Sequence, residues 1–129
     1  MHDFGVVLNP SLLEGQVHGG VAQGLGQAGF EAAHYDEVGQ FQTSSFLDYN
    51  IPRADQIPQI EFISNPTPCP SNPLGFKGCG EAGAAGSPPA LVNAVVDALS
   101  DYKIDHIDMP LTSEKIWSAI QNATNNEVS

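Results

Sequence analysis

The sequence predicts an α+β fold, about three helices packed on a few short strands. Three observations carry this expectation. Apolar residues recur at helical spacing in three separate stretches, about 11–32, 88–101 and 112–121. Short alternating runs, bounded by proline, glycine and asparagine, lie before and between them. Apolar residues make up 41% of the 129, with six Phe, three Tyr and one Trp, enough for one core at this length.

Residues 3–8, Asp-Phe-Gly-Val-Val-Leu, have the form of a strand end stopped at Asn9-Pro10. A domain rarely opens in mid-strand, so this stretch anticipates a partner strand or an upstream segment elsewhere. The first helix follows, with Leu13, Val17, Val21 and Leu25 in one stripe. It also contains Gly15, Gly19, Gly20, Gly24, Gly26 and Gly29. Each interior glycine costs ~1 kcal/mol relative to alanine, a loss sustained where a Cβ would collide with closely approaching backbone or ligand. Gly15 and Gly19, and again Gly20 and Gly24, are four apart and smooth one turn of helix face each.

Residues 34–47 predict a hairpin turning over Asp36–Gly39, 48–58 an extended connection interrupted by Pro52 and Pro58, and 60–63 a short strand. Residues 65–89 hold six prolines and five glycines, yet Leu74 and Phe76 argue against a flexible linker, and the stretch reads as a fixed loop laid over a site. Ser87-Pro88 suits the N-cap and first position of a second helix, with Leu91, Val92, Val95, Val96 and Leu99 inward. Thr112-Ser113-Glu114 caps a third helix bearing Ile116, Trp117 and Ile120. Residues 1–120 thus form one domain segment, and 121–129 a flexible polar tail.

Fifteen acids against four bases leave a net charge of −11, which repels phosphate backbones and argues against nucleic-acid binding. No apolar run approaches the roughly eighteen residues of a membrane helix. With no basic stretch ahead of an apolar one at the start, a signal peptide is not expected, and a cytoplasmic location is. Cys69 and Cys79 form neither a CxxC pair nor a zinc spacing, and read as free thiols of a reducing compartment. His2, His18, His34 and His106 are scattered, and surface or packing roles suit them better than metal ligation. Gly24-Leu25-Gly26-Gln27-Ala28-Gly29 matches GxGxxG, but it follows a helical stripe where a dinucleotide site needs a strand.

Lys77-Gly78-Cys79-Gly80-Glu81-Ala82-Gly83 stands apart from the other acidic segments. One acid sits between glycines in the middle of the long loop. Apolar surroundings would raise its pKa and make it a competent general base near neutral pH. A glutamate paired with Lys77 in a surface turn is an equally good reading at this point.

Several motifs together resemble the molybdenum hydroxylases, the family of xanthine dehydrogenase and aldehyde oxidase. They are Asp3-Phe4-Gly5 with Asn9-Pro10, Glu14-Gly15-Gln16-Val17-His18-Gly19-Gly20 through Gly24, Asp48-Tyr49 with Ile51-Pro52-Arg53-Ala54-Asp55, and Asn72-Pro73-Leu74-Gly75-Phe76-Lys77-Gly78-Cys79-Gly80-Glu81. Pro88-Pro89-Ala90-Leu91-Val92-Asn93-Ala94 and Asp108-Met109-Pro110-Leu111-Thr112 continue the match. The resemblance is to the C-terminal part of the molybdopterin-binding large subunit, so the fold expected is a fragment of that domain.

It implies a molybdenum-pterin cofactor, with Gln16 hydrogen-bonded to the pterin and Glu81 as the base that takes a proton from a hydroxyl at the metal. The backbones of Gly78 and Gly80 are implied to lie against the cofactor, and no side chain is implied as a metal ligand. Cys79 stands where the family more usually has a small aliphatic residue, either packing as one or reacting as a thiol. The implied reaction is oxidative hydroxylation of an aldehyde or N-heterocycle, with iron–sulfur clusters and FAD in partner chains. The implied partners are the remainder of the large subunit and the iron–sulfur and FAD subunits, and the chain alone is expected to be incomplete and inactive. The alternative is a stand-alone, non-catalytic domain that binds a protein partner and retains family motifs. Strand edges left unpaired would expose apolar surface and favour self-association.

Overall fold

A computed structural model describes residues 2–127. Three α-helices dominate: α1 (Pro10–Gly29), α2 (Ala82–Ala98) and α3 (Ser113–Glu127), with a 3₁₀ turn at Ser100–Tyr102. No helix among the described residues is long and apolar enough to cross a membrane.

The sequence starts α1 with two devices. Asn9 sits in an extended conformation and its Oδ1 accepts a hydrogen bond from the Leu12 amide at 3.2 Å, while Pro10 takes a first-turn position that needs no amide hydrogen. At the other end the Phe30 amide donates to the Gly26 carbonyl at 2.9 Å. The core is small and consists of Phe4, Leu13, Ala28, Leu99, Ile107 and Leu111. The Leu111 amide donates to the Ala28 carbonyl at 2.6 Å, tying the approach to α3 to the end of α1. Thr112 caps α3, its Oγ1 accepting from the Lys115 amide at 3.3 Å.

α2 begins at Ala82, six residues before the start expected at Pro88, and Pro88 and Pro89 lie inside it. Ser87-Pro88 is therefore not a helix start. An internal proline costs ~3 kcal/mol or more, and packing against α1 offsets that here. Pro88 is buried, and a Cβ on Gly24 would lie 2.8 Å from its Cδ. The Ser87 hydroxyl donates to the Gly83 carbonyl at 2.8 Å.

The helical part of the α+β expectation is met and the strand part is not. Among the described residues the only β pairings are isolated antiparallel bridges, Gly5 with Phe76 and Tyr35 with Phe41. The second bridge lies in the expected hairpin, but the runs at 3–8 and 60–63 form no strand. A strand needs a neighbour to take its backbone groups. Among the described residues the backbone-to-backbone bonds of 3–8 reach only the short turn at 75–77, with the Val6 amide on the Gly75 carbonyl and the Lys77 amide on the Phe4 carbonyl, at 3.0 and 3.2 Å. Of the tail expected over 121–129, residues 121–127 are the last turns of α3, and residues 128 and 129 lie outside the described residues.

Several large apolar side chains are exposed, among them Leu8 (81%), Leu12 (69%) and Trp117 (62%). The isolated chain is accordingly expected to self-associate in sedimentation velocity runs, with Leu8→Ser and Leu12→Ser shifting it toward monomer. Unchanged association in the double variant would remove that patch as the cause.

Candidate functional site

Four of the six glycines of α1 fall into two pairs that bear on the site. Gly20 and Gly24 face α2. A Cβ on Gly20 would lie 3.0 Å from the Ala84 nitrogen, and one on Gly83 would lie 2.5 Å from both the Val17 oxygen and the Val21 nitrogen. The two helices thus cross backbone on backbone. Gly15 and Gly19 are on open ground, since a Cβ on either meets nothing within 4 Å. The glycine-rich pattern therefore serves helix packing on one face and leaves a smooth exposed surface on another. Gly24, the first glycine of the GxGxxG match, is occupied by Ser87 and Pro88, and the residues before it are helical.

This crossing brings the loop before α2 up to α1 near Gln16. Gly83 rests on the Val17 carbonyl, next to Gln16, and Glu81 lies two residues before Gly83. An open cleft of about 270 Å³ has Gln16 in its lining, along with Asn9 and Leu12 on the α1 side and Phe76, Lys77 and Cys79 on the loop side. Gln16 is exposed and its amide makes no hydrogen bond among the described residues. A Cβ on Gly78 or Gly80 would meet nothing within 4 Å. A second, apolar cleft of about 470 Å³ follows the α1–α2 seam past Val17, Val21, Ala82 and Gly86, beneath Phe62. Glu81 lies outside the lining of both clefts.

Glu81 occupies the N-cap position of α2, and its carbonyl accepts the Ala85 amide at 2.8 Å. Its side chain caps nothing and is exposed. A negative charge is favoured at a helix N-terminus by the aligned peptide dipoles. The apolar enclosure expected around this carboxylate is not supplied by the described residues. The surface-turn pairing with Lys77 is not present either, because Lys77 Nζ binds Asp3 Oδ2 instead.

Asp3 is the feature the sequence did not disclose. Besides Lys77 it accepts the Gly5 amide at 2.9 Å and the Thr67 amide at 3.0 Å, both on Oδ1. Lys77 first, and then these two amides, hold its carboxyl well below the usual carboxylate range. Asn72 clamps the same turn, its Nδ2 donating to the Phe76 carbonyl at 2.9 Å and its Oδ1 accepting the Phe76 amide at 3.1 Å. Two of its three partners, Thr67 and Lys77, are 64 and 74 residues away, and no local pattern announces such a link. Glu14 and His18, four apart on α1, do have a helical signal, and stand 3.8 Å from each other.

Because the pKa of Asp3 is depressed on folding, its contribution to stability is present above the unfolded value of ~3.9 and is lost as pH falls through the folded value. In urea titrations Asp3→Asn should therefore be less stable than wild type near neutral pH, with the gap narrowing progressively under acid. A gap that persists unchanged into strong acid would remove the carboxylate charge as its origin.

Residues 1–58 match the family model of the molybdopterin cofactor-binding domain. The chain is 43% identical over 119 residues to the nicotine 6-hydroxylase large subunit of Paenarthrobacter nicotinovorans, covering 92% of this chain and 15% of that one. It is 36% identical over 121 residues to the carbon monoxide dehydrogenase large chain of Hydrogenophaga pseudoflava, again covering 15% of the relative and 94% of this chain. Quinoline 2-oxidoreductase from Pseudomonas putida 86 superposes with a TM-score of 0.88 at 40% identity, over 92% of this chain and 15% of that structure's. The chain thus spans about 15% of the length of the relatives it matches. By these matches the chain belongs to the molybdenum hydroxylase family, corresponding to a stretch of its large subunit.

Proposed function

We propose that this chain contributes a general base, Glu81, and a pterin contact, Gln16, to a molybdenum-dependent hydroxylase acting on an aldehyde or N-heterocycle. The observation that carries this is the convergence of Gln16 and the Lys77–Cys79 loop on one cleft, with Glu81 held nearby by the Gly83 crossing. The residues suit a bulky, polar cofactor in two respects. An unpaired amide is available at Gln16, and the backbones of Gly15, Gly19, Gly78 and Gly80 can be approached without a Cβ in the way. When bound, the molybdenum-pterin group supplies the two-electron chemistry that moves oxygen onto an electron-poor carbon.

The chain's own groups have simpler tasks. Gln16 orients the pterin by hydrogen bonding, the glycines allow close approach, and Glu81 accepts a proton during oxygen transfer. Enclosure of Glu81, which raises a carboxylate's basicity, comes from the rest of the large subunit. Iron–sulfur and FAD subunits carry the electrons away.

Co-expression with the remainder of a large subunit, followed by molybdenum and pterin analysis, tests this. Metal-loaded complex is the expected result, and a stable monomer that never takes up cofactor beside those segments would overturn it. Gln16→Ala should weaken cofactor retention about fivefold, the worth of a hydrogen bond of ~1 kcal/mol. Unchanged retention would remove Gln16 from the site.

A further inference from the structure

We propose that the Asp3–Lys77 ion pair is a positioning device for the loop that carries Glu81, fixing residues 77–81 relative to the start of α1. This rests on the assignment of Glu81 and Gln16 made above. Gly78, Cys79 and Gly80 make no hydrogen bonds of their own among the described residues. Their course is set by the two ends. At the far end Gly83 is seated on the α1 backbone at Val17 and Val21. At the near end Lys77 is held twice, by its amide on the Phe4 carbonyl at 3.2 Å and by Nζ on Asp3.

Asp3 divides its two oxygens between separate jobs. Oδ1 gathers the Gly5 and Thr67 amides, so that the N-terminal segment and the 66–68 segment are bound together, and Oδ2 is left for Lys77. Lys77 is one of only four cations in a chain of net charge −11. It is spent here, four residues from the only carboxylate of the glycine loop, and not on that carboxylate. A loop of glycines is conformationally permissive, and a permissive loop holds a reacting group in place only if its ends are fixed.

Two substitutions remove the link while sparing the rest. Lys77→Met keeps the aliphatic stem and leaves both amides on Asp3 Oδ1. Asp3→Asn keeps an oxygen for those amides and takes away the acceptor for Lys77. Cys79, half-buried in the loop, reports its position through the rate of modification by a disulfide reagent, measured in the full chain with Cys69→Ser as background. Lys77→Met and Asp3→Asn should each raise that rate about tenfold, as local opening does, while Lys77→Arg stays close to the parent. Parent-like rates in both variants, with helical circular dichroism intact, overturn the proposal. If Lys77→Met loses its helical signal, the comparison of Asp3→Asn with Lys77→Arg decides in its place.

In the assembled enzyme Lys77→Met should lower kcat by about ten- to a hundredfold with KM little changed, and Lys77→Arg should restore it. Faster labelling with unaltered kcat would make the pair merely structural and overturn the positioning role. The assignment of Glu81 fails separately: a Glu81→Gln enzyme that keeps its turnover sinks that assignment and leaves the labelling result standing.

Discussion

Glu81→Gln in the assembled enzyme is expected to lower kcat by about a thousandfold while cofactor content and subunit assembly stay at the parent level. General-base catalysis contributes roughly 10²- to 10⁴-fold, and an amide of the same shape cannot accept the proton. The fold should not notice the change. Glu81 is exposed, its side chain makes no capping hydrogen bond, and among the described residues only its backbone carbonyl is used, by the Ala85 amide. Metal and pterin analysis beside steady-state kinetics separates loss of chemistry from loss of cofactor. Turnover within a few fold of the parent would take Glu81 out of the mechanism.

Gly83→Val should destabilise the chain markedly. The added Cβ would lie 2.5 Å from the Val17 oxygen and the Val21 nitrogen, which are backbone atoms and cannot swing away. Overpacking of this kind costs typically ~1–3 kcal/mol, and here it acts on the contact that sets α2 against α1. Gly86→Ala is the natural control, because it lies in the same helix with nothing within 4 Å of its Cβ. That substitution should stabilise the chain by up to ~1 kcal/mol through helix propensity alone. Urea midpoints measured on the two variants read the difference directly, and equal midpoints would mean the helices do not cross as closely as described.

The helices were legible in the sequence because their signals are local. Thr112 marks one start correctly and the Leu13 stripe identifies α1, while Asn9-Pro10, read as the end of a strand, turns out to cap the helix as well. Ser87-Pro88 misled because its preference for a helix start is real in isolation. The competing fact, Gly83 fitted onto the α1 backbone at Val17 and Val21, depends on residues far away in the sequence, and α2 extends back to Ala82. The strands at 3–8 and 60–63 failed for a related reason, since alternation describes a surface ready to pair and says nothing about whether a neighbour is present. At the candidate site, Gln16 and Glu81 were singled out by the family resemblance, whereas Asp3, though part of a quoted motif, was given no role. Its role comes entirely from contacts with Thr67 and Lys77.

Pro88 and Pro89 also shape how α2 would respond to force or ligand. Neither has an amide hydrogen, so the carbonyls of Ala84 and Ala85 lack their normal helical donors and the ladder is missing two successive rungs. At this point α2 relies on its neighbour in place of its own ladder, with Ser87 and Pro88 packed against Gly24 of α1. α1 holds α2 on both sides of this point, for a Cβ on Gly20 would meet Gly83 before the prolines and one on Gly29 would meet Leu91 after them.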